Sequence, residues 1–309
     1  MRRCVPAVGH RIVLTERCNM NCPHCFNAND RLKGEMDADI LIRYMRENAQ
    51  YLHHYSLKIM GGEPTLHPRF TEVVDEACKY FGRVSIFTNG RKPELLLRWF
   101  PNKVGITVNG HTYKIGHLFP NTTVHFVIVN DDFSRIFETI KRVPNAFIII
   151  SPNTQVNLFD EKELEEYRKL WVKALTTILP DVPKDRFTLD HCLPICFYTE
   201  DMLAELHASG LVHSWQSDSV ICCSESVIGL IDYNFDYYFC NQTRIKLGSI
   251  LREDGTPKST PEIQDMLKGS CRKKIDGIRQ LSKKCRACKA LPLCKVGCYY
   301  NILEMNKDG

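Results

Sequence analysis

Fifteen cysteines are spread unevenly over 309 residues, and their spacing constrains the chain more than any other feature. Cys18, Cys22 and Cys25 fall within eight residues, and Cys285, Cys288, Cys294 and Cys298 within fourteen. Ten of the fifteen lie beyond residue 185. Disulfide scaffolds belong to exported chains, but no sustained apolar stretch follows Met1-Arg2-Arg3, where Pro6 and Gly9 interrupt the sequence. In a reducing compartment, closely spaced thiols more often bind metal than bridge. Thiolate ligation and a cytoplasmic location are therefore expected. The apolar runs, such as Phe147 to Ile150, are strand-sized, and no membrane partner is expected. With a net charge of only +5, the basic runs Arg272-Lys273-Lys274 and Lys283-Lys284 read as solvated faces rather than nucleic-acid sites.

The first half alternates short β-like runs with amphipathic stretches. Strands are expected at Arg11 to Thr15, Leu57 to Met60, Val84 to Phe87, Val104 to Val108, Val124 to Val129 and Phe147 to Ile150. Helices are expected at Asp39 to His53, at about Pro68 to Tyr80, and from Asp160, where Asp160 and Glu163 resemble a capping box and Pro180 ends the run. Further helices are expected after Thr199 and from Thr260-Pro261. Strands separated mostly by helices imply an α/β fold with a parallel sheet. Polar residues and glycines cluster after each strand, at the edge where such sheets place ligands. A change of character sets a boundary near 185: residues 1–185 form a barrel or partial barrel, and residues 186–309 a small cysteine-rich domain.

Cys18-x3-Cys22-x2-Cys25 directly follows the first strand. Three thiolates at this spacing can wrap one face of a cubane 4Fe–4S cluster and leave its fourth iron open to a small chelating ligand. A zinc site completed by His24 or a remote residue fits the same spacing. The second strand ends in Gly61-Gly62-Glu63-Pro64. Two glycines let backbone approach a ligand closely, and Glu63 offers a carboxylate to an ammonium group.

Together these two elements resemble the radical SAM superfamily, with His24 where that family usually carries an aromatic residue. The resemblance implies a partial (β/α)6 barrel in which a 4Fe–4S cluster on Cys18, Cys22 and Cys25 binds S-adenosylmethionine (SAM), with Gly61 to Pro64 at its methionine end. It implies one-electron cleavage of SAM to methionine and a 5′-deoxyadenosyl radical that takes hydrogen from a substrate, with flavodoxin or ferredoxin as donor. Thr88-Asn89-Gly90 after strand three resembles a frequent family ending, and Thr107 and Asn109 stand where members often carry Ser and Asp toward the ribose and carboxylate of SAM. Asn130 after strand five is a further candidate for the same ligand. No G-x-I-x-G element occurs at strand five, which leaves Ile150 and Ser151 as the candidates near adenine.

Four thiols in C-x2-C-x5-C-x3-C, from Cys285 to Cys298, suit one zinc or one cluster. The run resembles the end of a SPASM or twitch domain, which carries auxiliary 4Fe–4S clusters. Cys240 followed by Leu247-Gly248-Ser249-Ile250 resembles its middle, and Cys222-Cys223 its opening. Phe235 stands where the family has glycine, and no cysteine follows Cys298. The resemblance then implies one auxiliary cluster on Cys196, Cys223, Cys240 and Cys298. It implies a second on Cys285, Cys288 and Cys294 with Cys192 or a non-cysteine group, while a single auxiliary cluster and the choice of Cys222 over Cys223 stay open. Cys4, Cys78 and Cys271 read as ordinary thiols, and Tyr233, Tyr237 and Tyr238 as core aromatics.

SPASM-bearing members commonly modify peptides, so the expected substrate is a ribosomally made peptide that receives a crosslink, with an auxiliary cluster taking up an electron or binding substrate. Only about ten residues precede the first strand, so leader recognition is expected from a separate protein or from the second domain. A small-molecule dehydrogenase acting on a sugar or amino-sugar alcohol is the alternative. A non-enzymatic zinc-binding protein explains Cys285 to Cys298 but not the Gly-Gly-Glu-Pro strand end.

Overall fold

The alternation of apolar and polar residues becomes six parallel-type strands in the expected places. The computed structural model describes residues 10–22, 24–25, 34–99, 104–113, 122–153, 160–182, 184–189, 197–208, 229–239 and 245–268, with 156, 193, 287 and 289 besides. The chain divides into two compact units, Met1–Thr122 with Val227–Gly277, and Thr123–Ser226 with Ile278–Gly309.

In the first unit, β1 (His10–Thr15), β2 (Ser56–Gly61), β3 (Arg83–Thr88) and β4 (Val104–Asn109) pair in parallel in that order. Along β2, β3 and the start of β4 alternate residues enter the core, so Leu57, Ile59, Val84, Ile86, Val104 and Ile106 are buried while Lys58, Ser85 and Gly105 are half-buried on the other face; β1 is buried continuously from Ile12 to Thr15. Each such fully buried aliphatic side chain contributes about 1.5–3 kcal/mol.

The helix expected over Asp39 to His53 is two: α1 (Ala38–Glu47) and α2 (Ala49–Leu52). Asp37 caps α1 by accepting from the amides of Asp39 and Ile40 at 2.8 and 3.1 Å. The break falls at Asn48, whose amide Nδ2 donates to Tyr44 O at 3.0 Å and Lys258 O at 3.3 Å. A short polar side chain that bonds nearby backbone competes with the helix ladder, and Asn48 does so here. The third helix, α3 (Phe70–Tyr80), lies against α1 and buries Phe70, Val73, Val74 and Ala77.

Residues after the expected boundary extend this same sheet. Following the three strands of the second unit, β8 (Leu230–Ile231) pairs in parallel with β1. Then β9 (Asp236–Tyr238) and β10 (Lys246–Ser249) continue antiparallel. Phe235, in the place of a family glycine, has φ of 62°, a conformation that glycine adopts without strain. Its side chain is nonetheless buried. Tyr237 is a core residue as expected, whereas Tyr233 lies against Gly34, where an added Cβ would meet its ring at 2.2 Å. The last described helix of this unit, α7 (Thr260–Lys268), starts with Ser259 and Glu262 capping one another.

In the second unit, β5 (Thr123–Ile128), β6 (Phe147–Pro152) and β7 (Phe187–Leu189) pair in parallel. The helix α4 (Ser134–Arg142) joins the first two of these strands. Asp160 caps α5 (Glu161–Ile178) as expected, accepting from the amides of Lys162 and Glu163 at 3.0 Å. Tyr167, Trp171, Leu175 and Ile178 are buried along it, and the helix tightens to a 3-10 turn at Leu179–Asp181 around Pro180. Tyr167 Oη donates to Ile128 O at 2.9 Å, and Trp171 Nε1 to the hydroxyl of Tyr198, ahead of α6 (Glu200–Ala208), also at 2.9 Å.

Candidate active site

The cysteine loop leaves β1 at Thr15 and is pinned to its neighbours before the first thiol. Glu16 N donates to Gly34 O at 2.9 Å, and Arg17 N to Thr15 Oγ1 at 3.2 Å. From the end of β2, Gly62 N donates to Thr15 O and Glu63 N to Arg17 O, both at 2.8 Å. The Arg17 guanidinium pairs with Glu35 and donates to Leu66 O at 2.9 Å. The loop's first residues are thus fixed by backbone on both sides.

That close approach explains the two glycines. A Cβ on Gly61, whose φ is 151°, would lie 2.1 Å from Thr15 O, and one on Gly62 would lie 2.4 Å from Arg17 O and 2.5 Å from Glu16 O. Where the sequence suggests room for a ligand, the structure sets the chain leaving β1 against both residues. Pro64 opens a 3-10 turn at Pro64–Leu66, a first position that costs no hydrogen bond.

Glu63 is 1% exposed and ties three segments together. Its Oε1 accepts from Thr65 N, Thr65 Oγ1 and Thr88 Oγ1 at 3.2, 2.6 and 2.8 Å, while Oε2 accepts from Asn89 N at 2.7 Å. A carboxylate has about four lone-pair sites, two on each oxygen. Oε1 is therefore saturated, and Oε2 is the oxygen that keeps capacity for an ammonium donor.

Asn89 extends the network to the loop: its Nδ2 donates to Asn19 Oδ1 at 2.7 Å. Asn19 carries no signal in the sequence beyond being a short polar residue between two cysteines. Thr107 is buried on β4 opposite Phe87. Asn109 shapes the turn after β4, accepting from His111 N at 2.9 Å on Oδ1 and from Thr112 N at 3.1 Å on its carbonyl. The His111 ring then packs on His24 of the cysteine loop, centroids 4.8 Å apart.

Cys18, Cys22 and Cys25 are half-buried, with Cys25 N donating to Cys22 O at 3.1 Å. Among the described residues, no three Cys, His, Asp or Glu side chains converge where a single ion would sit. A cubane spreads its thiolates over separate irons, and three soft donors on one short loop suit it.

The remaining SAM candidates belong to the second unit. Asn130 Oδ1 accepts from Asp132 N at 3.2 Å in the turn after β5. Ser151 is 1% exposed, and its hydroxyl shares a hydrogen bond with His125 Nε2 from β5, a partner the sequence did not disclose. Ile150 is fully buried and alternates with Ser151 along β6, so their side chains face opposite sides of the sheet. The proposed auxiliary-cluster residues Cys192, Cys196, Cys223, Cys240, Cys285, Cys288, Cys294 and Cys298 lie outside the described residues.

Over 176 residues the chain is 32% identical to the antilisterial bacteriocin subtilosin biosynthesis protein AlbA of Bacillus subtilis (strain 168), covering 53% of this chain and 37% of that one. It is 33% identical over 112 residues to the mycofactocin maturase MftC of Mycobacterium ulcerans (strain Agy99), covering 33% and 29% of the two chains. The chain thus spans less than half the length of either relative. Among solved structures, Streptococcus suis SuiB bound to S-adenosylmethionine superposes with a TM-score of 0.62 at 16% identity, over 96% of this chain and 74% of that one. Native anSMEcpe with bound AdoMet and Cp18Cys peptide gives 0.60 at 15% identity, over 97% and 94%. At such identities the likeness shows the fold, an α/β architecture of the radical SAM type. The sequence profile of the radical SAM superfamily matches residues 12–178, more than half the chain and the whole of the network just described. The chain belongs to the radical SAM superfamily, enzymes that bind a 4Fe–4S cluster together with S-adenosylmethionine.

Proposed function

We propose that this enzyme modifies a ribosomally made peptide, forming a crosslink by net oxidation. The observation that carries the reading is the relationship to AlbA, a bacteriocin biosynthesis protein, over more than half of this chain. Fold likeness to SuiB, solved also with its precursor peptide SuiA at a TM-score of 0.58, supports it.

In this reading Cys18, Cys22 and Cys25 hold the SAM-binding cluster, and Glu63 Oε2 with the backbone of Gly61 to Pro64 receives the methionine end. Thr107, Asn109, Asn130, Ile150 and Ser151 are assigned to the rest of SAM. When bound, the reduced cluster supplies the electron that cleaves SAM to methionine and a 5′-deoxyadenosyl radical. The protein's share is to orient the ligand and exclude water from it.

Residues 186–309 are assigned to a SPASM-type domain whose cysteines hold one or two auxiliary clusters, with β8 to β10 joining it to the sheet of β1. A flavodoxin or ferredoxin serves as electron donor, and a separate leader-binding protein presents the peptide, in the cytoplasm. No described helix is long and apolar enough to cross a membrane.

Iron and sulfide are counted after anaerobic reconstitution of the wild type and of a variant with Cys18, Cys22 and Cys25 all replaced by alanine. A loss of about four irons with roughly eight remaining supports three clusters, while about four remaining means a single auxiliary cluster. Zinc in place of iron in both proteins overturns the cluster assignment. Co-expression with a short peptide from a neighbouring gene then tests the substrate. A peptide that loses hydrogen mass only with intact cysteines supports the crosslink, and an unchanged peptide alongside an oxidised sugar alcohol overturns it.

A further inference from the structure

We infer that Asn89 is a positioning residue for the cysteine loop and acts through Asn19, the residue after Cys18. The inference rests on the reading of Cys18, Cys22 and Cys25 as cluster ligands. The orientation of the Asn89 amide is set by its surroundings, because Oδ1 accepts from Arg91 N at 3.0 Å and so turns Nδ2 toward Asn19 Oδ1 at 2.7 Å. The backbone of Asn89 is held as firmly: its N–H donates to Glu63 Oε2 at 2.7 Å, and its carbonyl accepts from Thr112 Oγ1 at 3.0 Å. Every polar group of Asn89 is therefore engaged by protein, and the residue is 7% exposed.

Its partner is the opposite case. Asn19 is exposed and lies in a stretch, residues 16–22, without helix or strand. The bond from Asn89 thus runs from a rigid strand end, braced by Glu63, into the part of the loop between the first two thiols. On the far side of the loop, the His111 ring on His24 comes from the same turn that supplies Thr112. Both contacts trace back to the ends of β3 and β4, so the sheet sets the loop's position at two points. A reactive centre displaced by an ångström through a remote change loses up to about a hundredfold in rate, so loop position is worth holding this way.

The alternative is that Asn89 touches SAM directly, as its place in the sequence suggests. A double-mutant cycle on the reconstituted protein separates the two. Asn89→Ser keeps a hydroxyl for Arg91 N but falls short of Asn19, and Asn19→Ala removes the acceptor from an exposed position that the fold does not need. The readouts are amide hydrogen exchange across residues 18–25, the electron paramagnetic resonance spectrum of the reduced cluster with and without SAM, and the rate of SAM cleavage. Each single variant is expected to raise exchange in the loop, lower the share of cluster showing the SAM-bound spectrum and slow cleavage about tenfold. The double variant is expected to be no worse than the worse single, since all three lose one bond. A silent Asn19→Ala beside an altered Asn89→Ser overturns the inference in favour of direct SAM contact, and additive losses overturn it as well. Iron-free wild type would instead sink the underlying cluster assignment, so the two failures are distinct.

Discussion

The two ends of the sheet in the first unit both bury polar side chains, and they use them differently. At the amino end of β1, His10 Nε2 meets Tyr44 Oη at 2.6 Å, and the His10 ring packs among Tyr44, Tyr55 and Phe81. Burial pushes the Tyr44 hydroxyl pKa well above its ordinary value, which keeps it neutral. Asn48 Oδ1 accepts from Thr260 Oγ1 at 2.9 Å and from Thr260 N, completing a closed set of partners. At the carboxyl end, Glu63, Thr88 and Asn89 also bond one another, but their network runs outward through Asn19 into a half-exposed loop of thiols. A closed network joins distant segments and contributes stability; an open-ended one holds a ligand-binding loop in place.

The comparison breaks most visibly at Gly62. Gly62→Ala drives a Cβ into the carbonyls of Arg17 and Glu16, backbone that cannot withdraw without breaking the bond from Glu63 N. We expect SAM cleavage to fall about a hundredfold while stability falls by about 1–3 kcal/mol. Asn48→Ala at the other end should cost about 2–4 kcal/mol in denaturant titrations, since it strands Lys258 O and both Thr260 donors. SAM cleavage per folded molecule should not change. If Asn48→Ala impaired cleavage in the folded protein, or Gly62→Ala left it intact, the division of labour between the two ends would be wrong.

The contrast also explains what the sequence disclosed. Strands β2, β3 and β5 were legible because each alternates buried with more exposed residues, β1, β4 and β6 because they are short apolar runs, and the cysteine loop because three thiols in eight residues leave little else for them to do. The break at Asn48 was not, because a single Asn in a helical pattern does not disclose the partners at Lys258 and Thr260, about 210 residues away, that help to hold its side chain. The pairing of β8 with β1 was hidden for the same reason, since a two-residue strand has no period of its own. Asn19 and His125 are single polar residues whose partners, Asn89 and Ser151, come from other elements. The departure at Phe235 was legible as a departure, and the structure supplies its meaning: the backbone keeps a left-handed turn where the side chain is no longer glycine.

That turn gives the next test, in the part of the sheet that should behave like the amino end. At an ordinary position glycine is less stable than alanine by up to about 1 kcal/mol. At Phe235, with φ of 62°, alanine pays for the left-handed conformation and glycine does not. Both variants lose a buried aromatic side chain, at about 3–5 kcal/mol before strain is counted. Phe235→Gly should therefore be the more stable of the two by about 1 kcal/mol, read as a difference in unfolding midpoint. The usual order, alanine above glycine, would show that the turn relaxes when the ring is removed.

The smallest effect belongs to the helix that brings Thr260 to Asn48. Glu262 accepts from Ser259 Oγ and N at 2.6 and 2.7 Å, and from Arg252 Nη2 at 2.6 Å. The bonds from Ser259, with the Arg252 guanidinium, hold its pKa down at about 2, against an ordinary 4.5. A carboxyl group depressed on folding stabilises the protein above its unfolded pKa and loses that contribution as pH falls through the folded value. Glutamine keeps the cap but not the charge, so Glu262→Gln should cost stability at neutral pH. Because the side chain is 45% exposed, solvent screening holds the cost to about 1 kcal/mol or less. The gap between wild type and variant should stay constant above about pH 5, shrink as the pH falls toward 2, and close below it, where the carboxyl group is protonated and both side chains are neutral. A gap unchanged at low pH would mean that shape rather than charge secures the start of α7. Closure would place this corner with the amino-end network, as an electrostatic brace for the fold that leaves SAM cleavage untouched.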